Sequence, residues 1–594
     1  MHKRNQKSIR LLPDFSYLRT YSRSLFRSDI QAGLTVAVFA VPQVMAYAML
    51  AGVPPVNGIY TVIVASVVAA LWGRSPYVST GPSNSAALLT AAAIAPFAGQ
   101  GDPMQTVFVF ALMVGLIRLA LGLVRAGVMI EYVSEAAMLG FTVGIGTLIA
   151  LGQLHHFIGV ETSRHVWFVA KITEILTQVP EANPGAVLIA VGTIVTMFGL
   201  NRYSKRFPVA LTAIVLATLF AELLGNRITV SRVSDIALVT SGLPAFRLHG
   251  VDLSILPRLF PIAVAVSIIG LVEVSTIAQI FATKHGERVN ENQEFIGQGF
   301  AQIVSAFFQG IPCSGSFSRS AFLEHTGVRT RFGNVCFALC MAPALVFFAR
   351  WLNYIPIAAL AGLLFFIGFR LIDVSRVRRV MHTSRPDAAV MAITFLVTVF
   401  VHIVYGIFAG ILASILMFLR RARILRMYEL VPGDDARFLE RPYIYETEHP
   451  RSDLVALSVT GDLFFAVAQP LRDRLTQVVE EQQPKHLILR MRRAYSIDYS
   501  CWEVLLSVAS ELQKRGGKLY LCGVQPIVEY MISRGGLDEV LPPEQIFSQD
   551  EALFGALHRA AAVAYDSLEG DVLLSPEWAD YFDRREPAAN ESAE

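Results

Sequence analysis

Fourteen apolar runs crowd into residues 29–426 of this chain, and no soluble fold has a core that would take them all. They lie at roughly 31–51, 57–73, 82–98, 105–126, 128–153, 185–200 and 207–225. A second set follows at roughly 257–283, 294–311, 316–325, 333–352, 355–371, 387–404 and 406–420. A membrane-spanning helix needs about 20 mainly apolar residues. Most runs approach that length, while a few, such as 316–325, are too short for a full span. Composition agrees, because only 16% of the residues are charged, where soluble proteins carry about 25%. The fold class is therefore a polytopic α-helical membrane protein whose surroundings are a lipid bilayer.

Positive charge sets the expected orientation. Lys3, Arg4, Lys7 and Arg10 precede the first run. Arg74, Arg125, Arg202, Lys284, Arg288, Arg329, Arg331, Arg376, Arg378, Arg379, Arg420 and Arg421 all follow even-numbered runs. Loops after odd-numbered runs are poorer in Lys and Arg, with 225–256 (Arg227, Arg232, Arg247) as the main exception. An even number of spans then puts both termini on the cytoplasmic side of a plasma (inner) membrane. A polar stretch of about 30 residues precedes the first apolar run, so no cleavable signal peptide is expected. Cys313, Cys336, Cys340, Cys501 and Cys522 form no CxxC pair, which argues against a disulfide scaffold or a cysteine zinc site. No metal, cofactor or nucleic-acid partner is expected.

Residues 1–28 read as a cytoplasmic N-terminal segment, 29–426 as the membrane domain and 427–440 as a linker. Within 441–565, "LVALSVTG", "HLILRM" and "KLYLCGV" have strand patterns, and "PLRDRLTQVVEEQ" and "CWEVLLSVASELQKRGG" have helical ones. That alternation predicts a compact α/β domain. Residues 566–594 read as a tail, disordered over Glu586–Glu594.

The membrane part reads as an inverted repeat of seven segments and seven more. "TGPSNSAALLT" (80–90) and "SGSFSRSAFLE" (314–324) align with Gly81 on Gly315, Ala87 on Ala321 and Leu89 on Leu323. Short, glycine-interrupted segments at matching places in two halves point to a substrate site near the bilayer midplane. Two half-helices meeting there would aim free N–H groups and positive dipole ends at an anion. Ser83, Ser85, Ser316 and Ser318 would add hydroxyl donors, and Arg319 a fixed charge. Small serines also let membrane helices pack closely, a plainer role for any one of them. Gln43 follows Pro42, which should disturb the first helix. Glu273 is a lone carboxylate at membrane depth, which marks it as a candidate functional group. Either it takes up and releases a proton during transport, or it forms a static ion pair with Arg319.

These motifs resemble the SulP anion transporters (sulfate permeases), which end in a STAS domain. The resemblance runs from about Asp29 to Tyr565. It rests on "VPQVMAYAMLAGVPPVNGIYT", "STGPSNSAAL", "EVSTIAQIFATKHGERVNENQEFIGQG" and "GSFSRSA". Asn57, Ile59 and Gln302 depart from the family's usual residues. The resemblance implies core and gate domains, elevator-like alternating access and a homodimer. It also implies an anion held among Gln43, Ser83, Ser318, Arg319 and the two half-helix ends, with Glu273 coupling to protons.

Within that family, "GSFSR", Gln43 and Glu273 look most like the proton-coupled sulfate branch. Bicarbonate, chloride or C4-dicarboxylate transport, an anion channel and an anion sensor are the alternatives; no enzyme motif such as GxSxG occurs. In the C-terminal domain, "TGDLFFAVAQPL" and "IDYSCWEVL" resemble STAS modules, some of which carry a phosphorylatable serine at this helix start. Ser500 is the candidate regulatory site, or more plainly the N-cap of its helix. A cytoplasmic protein that binds the STAS domain is a candidate partner.

Overall fold

The computed structural model describes residues 9–13, 15, 21–97, 102–127, 134–160, 168–203, 208–225, 229–248, 250, 252–433, 437–443, 451–534, 541–569 and 571–584. The tail Glu586–Glu594, expected to be disordered, lies outside them. The chain divides into two compact units, Met1–Ser414 and Ile415–Glu594.

Each apolar run has become a helix. These are α1 Arg23–Leu50, α2 Pro55–Trp72, α3 Asn84–Ile94, α4 Pro103–Leu123, α5 Glu135–Gly152, α6 Pro184–Tyr203 and α7 Val209–Leu224. The second set is α8 Leu256–His285, α9 Glu291–Phe307, α10 Phe317–His325, α11 Phe332–Leu352, α12 Ile357–Leu371, α13 Arg385–Leu396 and α14 Ile403–Ala422. Among the described residues, nine helices are long and apolar enough to cross a membrane. The other five of the fourteen (α3, α7, α9, α10 and α13) are each shorter than a full span.

Pro42 does not break α1 as its sequence position suggested. The helix runs unbroken from Arg23 to Leu50, although Pro42 has no N–H to give the Val38 carbonyl. Packing overrides the missing bond, because every residue from Ala40 to Ala48 is buried. Helix α2 lies close against this stretch, and a Cβ on Gly58 would sit 2.0 Å from the Val44 carbonyl oxygen. In lipid there is little hydrophobic drive between helices, so close backbone approach through small residues supplies the packing. Helix α9 packs against both α2 and α4, and α11 against both α1 and α2.

Two dipeptides carry the only strands of the membrane unit among its described residues: β1 Thr80–Gly81 and β2 Ser314–Gly315. They pair antiparallel, Thr80 with Gly315 and Gly81 with Ser314. Shifting residue numbers by the Gly81-to-Gly315 register exchanges these two pairs, so the bridge has local two-fold symmetry.

The C-terminal unit is an α/β sandwich. Its six-stranded sheet has the order β4-β3-β5-β6-β7-β8. The strands are β3 Arg426–Pro432, β4 Phe438–Pro442, β5 Leu454–Thr460, β6 His486–Arg493, β7 Lys518–Val524 and β8 Ile546–Ser548. Strands β5 to β8 are parallel, while β3 runs antiparallel to both its neighbours. The 427–440 stretch read as a linker is thus mostly sheet. Its residues alternate polar and apolar too briefly to stand out from a linker.

Period-two alternation divides the strands between two cores. Val455 and Leu457 join Leu487 and Leu489 beneath helices α15 Phe465–Glu481 and α16 Tyr499–Lys514. Ala456, Ile488 and Tyr520 face Leu557 and Ala560 of α18 Gly555–Asp566, with α17 at Pro526–Arg534 on the first face. The stretch read as a tail adds α19 Pro576–Asp583, whose Trp578, Tyr581 and Phe582 complete the second core.

Candidate functional site

The strand pair β1–β2 positions the site, because each strand leads directly into a short helix. Ser83 caps α3 and accepts the Ala86 N–H at 3.3 Å. Ser316 precedes α10 without a side-chain cap. The antiparallel pairing therefore brings two helix starts together at one point, where their free N–H groups and dipoles are positive. Surrounding side chains hold the crossing rigidly. Ser66 donates to the Thr80 carbonyl at 2.6 Å, and Gln298 to Thr80 Oγ1 at 2.7 Å. The Ser79 N–H donates to Ser320 Oγ at 2.8 Å, and the Ser316 N–H to the Ser79 carbonyl at 3.0 Å.

Two of the three departures from the family motif anchor the approach to β2. Asn57 donates to the Gln309 carbonyl at 2.7 Å, and Gln302 accepts the Cys313 N–H at 2.7 Å. Thr61 Oγ1 accepts the Ile311 N–H at 2.9 Å. Both replacements are amides that hold backbone at membrane depth, where a free polar group is costly. Ile59, the third, is buried in the apolar core.

Glu273 projects from α8 onto this crossing. It accepts from Ser85 Oγ and Ser314 Oγ, each at 2.5 Å, and from Ser83 Oγ at 3.5 Å. Ser83 and Ser85 thus turn toward the carboxylate. Gln43 reaches in from α1, donating to Tyr47 Oη at 3.1 Å and to Ser318 Oγ at 3.2 Å, and its Oε1 has no partner.

Arg319 is fully buried, and among the described residues none of its three guanidinium nitrogens has a hydrogen-bond partner. It lies against β1, with Nη2 3.1 Å from where a Cβ on Gly81 would be. No ion pair joins it to Glu273 among the described residues. The Glu273–Arg319 pair weighed from sequence is therefore not formed here; the carboxylate is satisfied by hydroxyls instead.

A cavity of about 1070 Å3 opens onto this cluster. Gln43, Glu273, Ser316 and Ser318 lie on its wall, whereas Ser83, Ser85 and Arg319 do not line it. The same wall carries Glu135, Glu291, Arg370, Asp373 and Arg376. Among the described residues, no group of three His, Cys, Asp or Glu side chains is placed to hold a metal. The geometry suits a small polyoxyanion: two helix starts brought together, hydroxyls on the wall, and beside Gly81 a buried cation unpaired among the described residues.

Sequence reasoning missed Arg118. It sits inside the fourth apolar run, is fully buried, and donates from Nη1 to the Cys313 carbonyl at 2.5 Å. Its isolation among apolar residues, the same signal that picked out Glu273, would have found it.

In the C-terminal unit, Ser500 lies in the first turn of α16, but the N-cap is Asp498. The Asp498 carboxylate accepts the Cys501 N–H at 3.0 Å and also the Phe465 N–H at 2.5 Å. The sequence offers Ser500 as that cap, but an aspartate two residues earlier reaches the free N–H groups and takes the role.

Residues 26–394 match the Sulfate permease family and residues 445–552 the STAS domain. Sulfate transporter 4.1, chloroplastic, of Arabidopsis thaliana is 27% identical over 562 residues, covering 90% of this chain and 81% of that one. The structure of murine Solute Carrier 26 family member A9, an anion transporter in the inward-facing state, aligns with a TM-score of 0.84 at 20% identity, covering 94% of each chain. The transmembrane domain of the cyanobacterial bicarbonate transporter BicA aligns with a TM-score of 0.58 at 23% identity, covering 66% of this chain and 98% of that one.

Proposed function

The chain belongs to the sulfate permease family, and from that premise we propose that it takes up sulfate together with protons. Anion transport is the family's work, and the relatives matched here are named as transporters rather than enzymes. The observation that carries the reading is Arg319, a buried guanidinium with no partner between two helix starts. Such a charge is costly to leave uncompensated, and an anion arriving from the cavity would compensate it. Gln43, Ser316 and Ser318 would orient the oxygens, with Ser83 and Ser85 linking the anion site to Glu273. Glu273 would bind the coupling proton, since carboxylate and hydroxyl contacts can reorganise as the proton comes and goes.

The wider reading follows the family. The fourteen helices form two inverted repeats, and the unit bearing β1–β2 moves as an elevator within a homodimer. The cavity wall includes Arg370 and Arg376, on the side that the charge pattern assigns to the cytoplasm together with both termini. That supports an inward-facing state in a plasma (inner) membrane. Ser500, partly exposed at the start of α16, is the regulatory candidate through which a cytoplasmic partner would act.

Radiolabelled sulfate uptake into proteoliposomes holding the full chain tests the reading. Uptake should rise with an inward proton gradient, and Glu273→Gln should remove that stimulation while sparing sulfate–sulfate exchange. A wild type indifferent to the gradient would sink the coupling. Competition by unlabelled bicarbonate decides the second reading, which the likeness to BicA favours; stronger competition by bicarbonate than by sulfate would replace sulfate as substrate.

A further inference from the structure

Among the described residues Glu273 forms an ion pair with neither Arg319 nor Arg118, so any cation that balances the carboxylate acts from close by rather than by direct contact. Arg118 stands in the right place. It projects from α4 and donates to the carbonyls of Cys313 (2.5 Å) and Val266 (3.2 Å), while Nε has no partner. Both acceptors are neutral. A Cβ on Gly270 would lie 2.2 Å from Arg118 Nη2 and 3.1 Å from the Ser314 Cβ. Glu273 follows Gly270 by three residues, on the same face of α8, and takes the Ser314 hydroxyl at 2.5 Å. The groups that face Glu273 are Ser83 at the cap of α3, Ser85 within it and Ser314 from β2, with Tyr47 of α1 and the cations Arg118 and Arg319 at longer range.

The bridge explains why an arginine is needed on that side. Ser79 gives its carbonyl to the Ser316 N–H. Under the register that exchanges the two strand pairs, the matching contact would join the Cys313 carbonyl to residue 82. That residue is Pro82, which has no N–H to give. Arg118 supplies the missing donor and adds a charge.

We propose that Arg118 is the resident counter-cation of Glu273, a positioning residue that holds β2 against α8 and leaves the charge of Arg319 free for the transported anion. The inference rests on the proton-coupled reading above and specifies its charge balance. With Glu273 ionised, the two guanidinium charges exceed the carboxylate by one. Binding of a proton to Glu273 leaves both guanidinium charges uncompensated, a match for a dianion such as sulfate. Proton release removes one unit of that match, and the dianion is let go.

The test uses the full chain in proteoliposomes with radiolabelled sulfate, read both as gradient-driven accumulation and as sulfate–sulfate exchange. Arg118→Gln keeps a donor for Cys313 but removes the charge. A carboxylate this deep without its cation would keep its proton through the cycle. Accumulation should then fall about tenfold or more while exchange stays within about threefold. Arg118→Lys should restore accumulation at least in part, and Arg118→Gln with Glu273→Gln should exchange as Glu273→Gln does alone.

Equal loss of both modes without rescue by lysine, or additive losses in the double variant, would mean a purely structural arginine and overturn the proposal. Should Arg118→Gln fail to yield folded protein, the double variant decides. Its recovery supports the pairing, and its failure overturns it. A wild type without proton-driven accumulation removes both readings, whereas a responsive wild type matched by Arg118→Gln removes only this one.

Discussion

At Arg319, charge and geometry make separable demands. If the guanidinium binds the anion through directed N–H groups, Arg319→Lys keeps the charge but loses the planar donor array. The expected result is a rise in the KM for sulfate of about tenfold for Arg319→Lys and more for Arg319→Gln, since a hydrogen bond to a charged group is worth about 1.5–3 kcal/mol. Concentration dependence of sulfate exchange in proteoliposomes measures it, and an unchanged KM in both variants would remove Arg319 from the site. Gly270 makes the complementary prediction. A methyl group there would collide with Arg118 Nη2 at 2.2 Å, so Gly270→Ala should displace the guanidinium and lower accumulation more than exchange. Accumulation and exchange falling together would leave Gly270 a packing residue only. Most residues of this candidate site stood out by type: serines, a glycine and an arginine at membrane depth are costly unless used. Which groups pair was not legible, because Glu273 reaches Ser314 and Ser85 only through a crossing that joins residues more than 230 positions apart.

At the scale of elements, the helices were easier to find than their ends. Apolar runs of spanning length have one outcome in lipid, and all fourteen became helices. The strands β1 and β2 were not foreseen, since two residues cannot show a period. β3 and α19 were missed for a related reason: each is short, and each is stabilised by distant partners rather than by its own pattern. The cap of α16 is a sharper case. Ser500 and Asp498 are both suitable N-cap residues, and only the fold shows that Asp498 serves two helix starts, at Cys501 and at Phe465. Asp498→Ala should therefore cost the C-terminal unit about 1–2 kcal/mol, seen as a lower thermal midpoint. Ser500→Ala should leave that midpoint within error. The reverse order would restore Ser500 as the structural residue and weaken its case as a regulatory one.

Across the whole molecule, two compact units without a shared core predict two unfolding events. The division falls between Ser414 and Ile415, and the apolar cluster of the membrane unit shares no residue with those of the C-terminal unit. The second unit should respond to mild acid through His486. This histidine is buried in β6, with Nε2 2.8 Å from Ser567 Oγ and Nδ1 without a partner. Burial lowers its proton affinity below the ordinary histidine value, so the folded state binds fewer protons than the unfolded chain. Stability from this group is then full above the unfolded value of about 6.5 and is lost as pH falls below it. Calorimetry of the full chain in detergent should show the transition of the C-terminal unit moving to lower temperature between pH 7.5 and pH 5. Intrinsic fluorescence of a variant that keeps only Trp502 and Trp578 would assign the moving transition to the C-terminal unit. His486→Gln should flatten its pH dependence, because glutamine can keep a contact to Ser567 and takes up no proton in this range. A transition that moves as far in His486→Gln as in the wild type would place the acid sensitivity in another group.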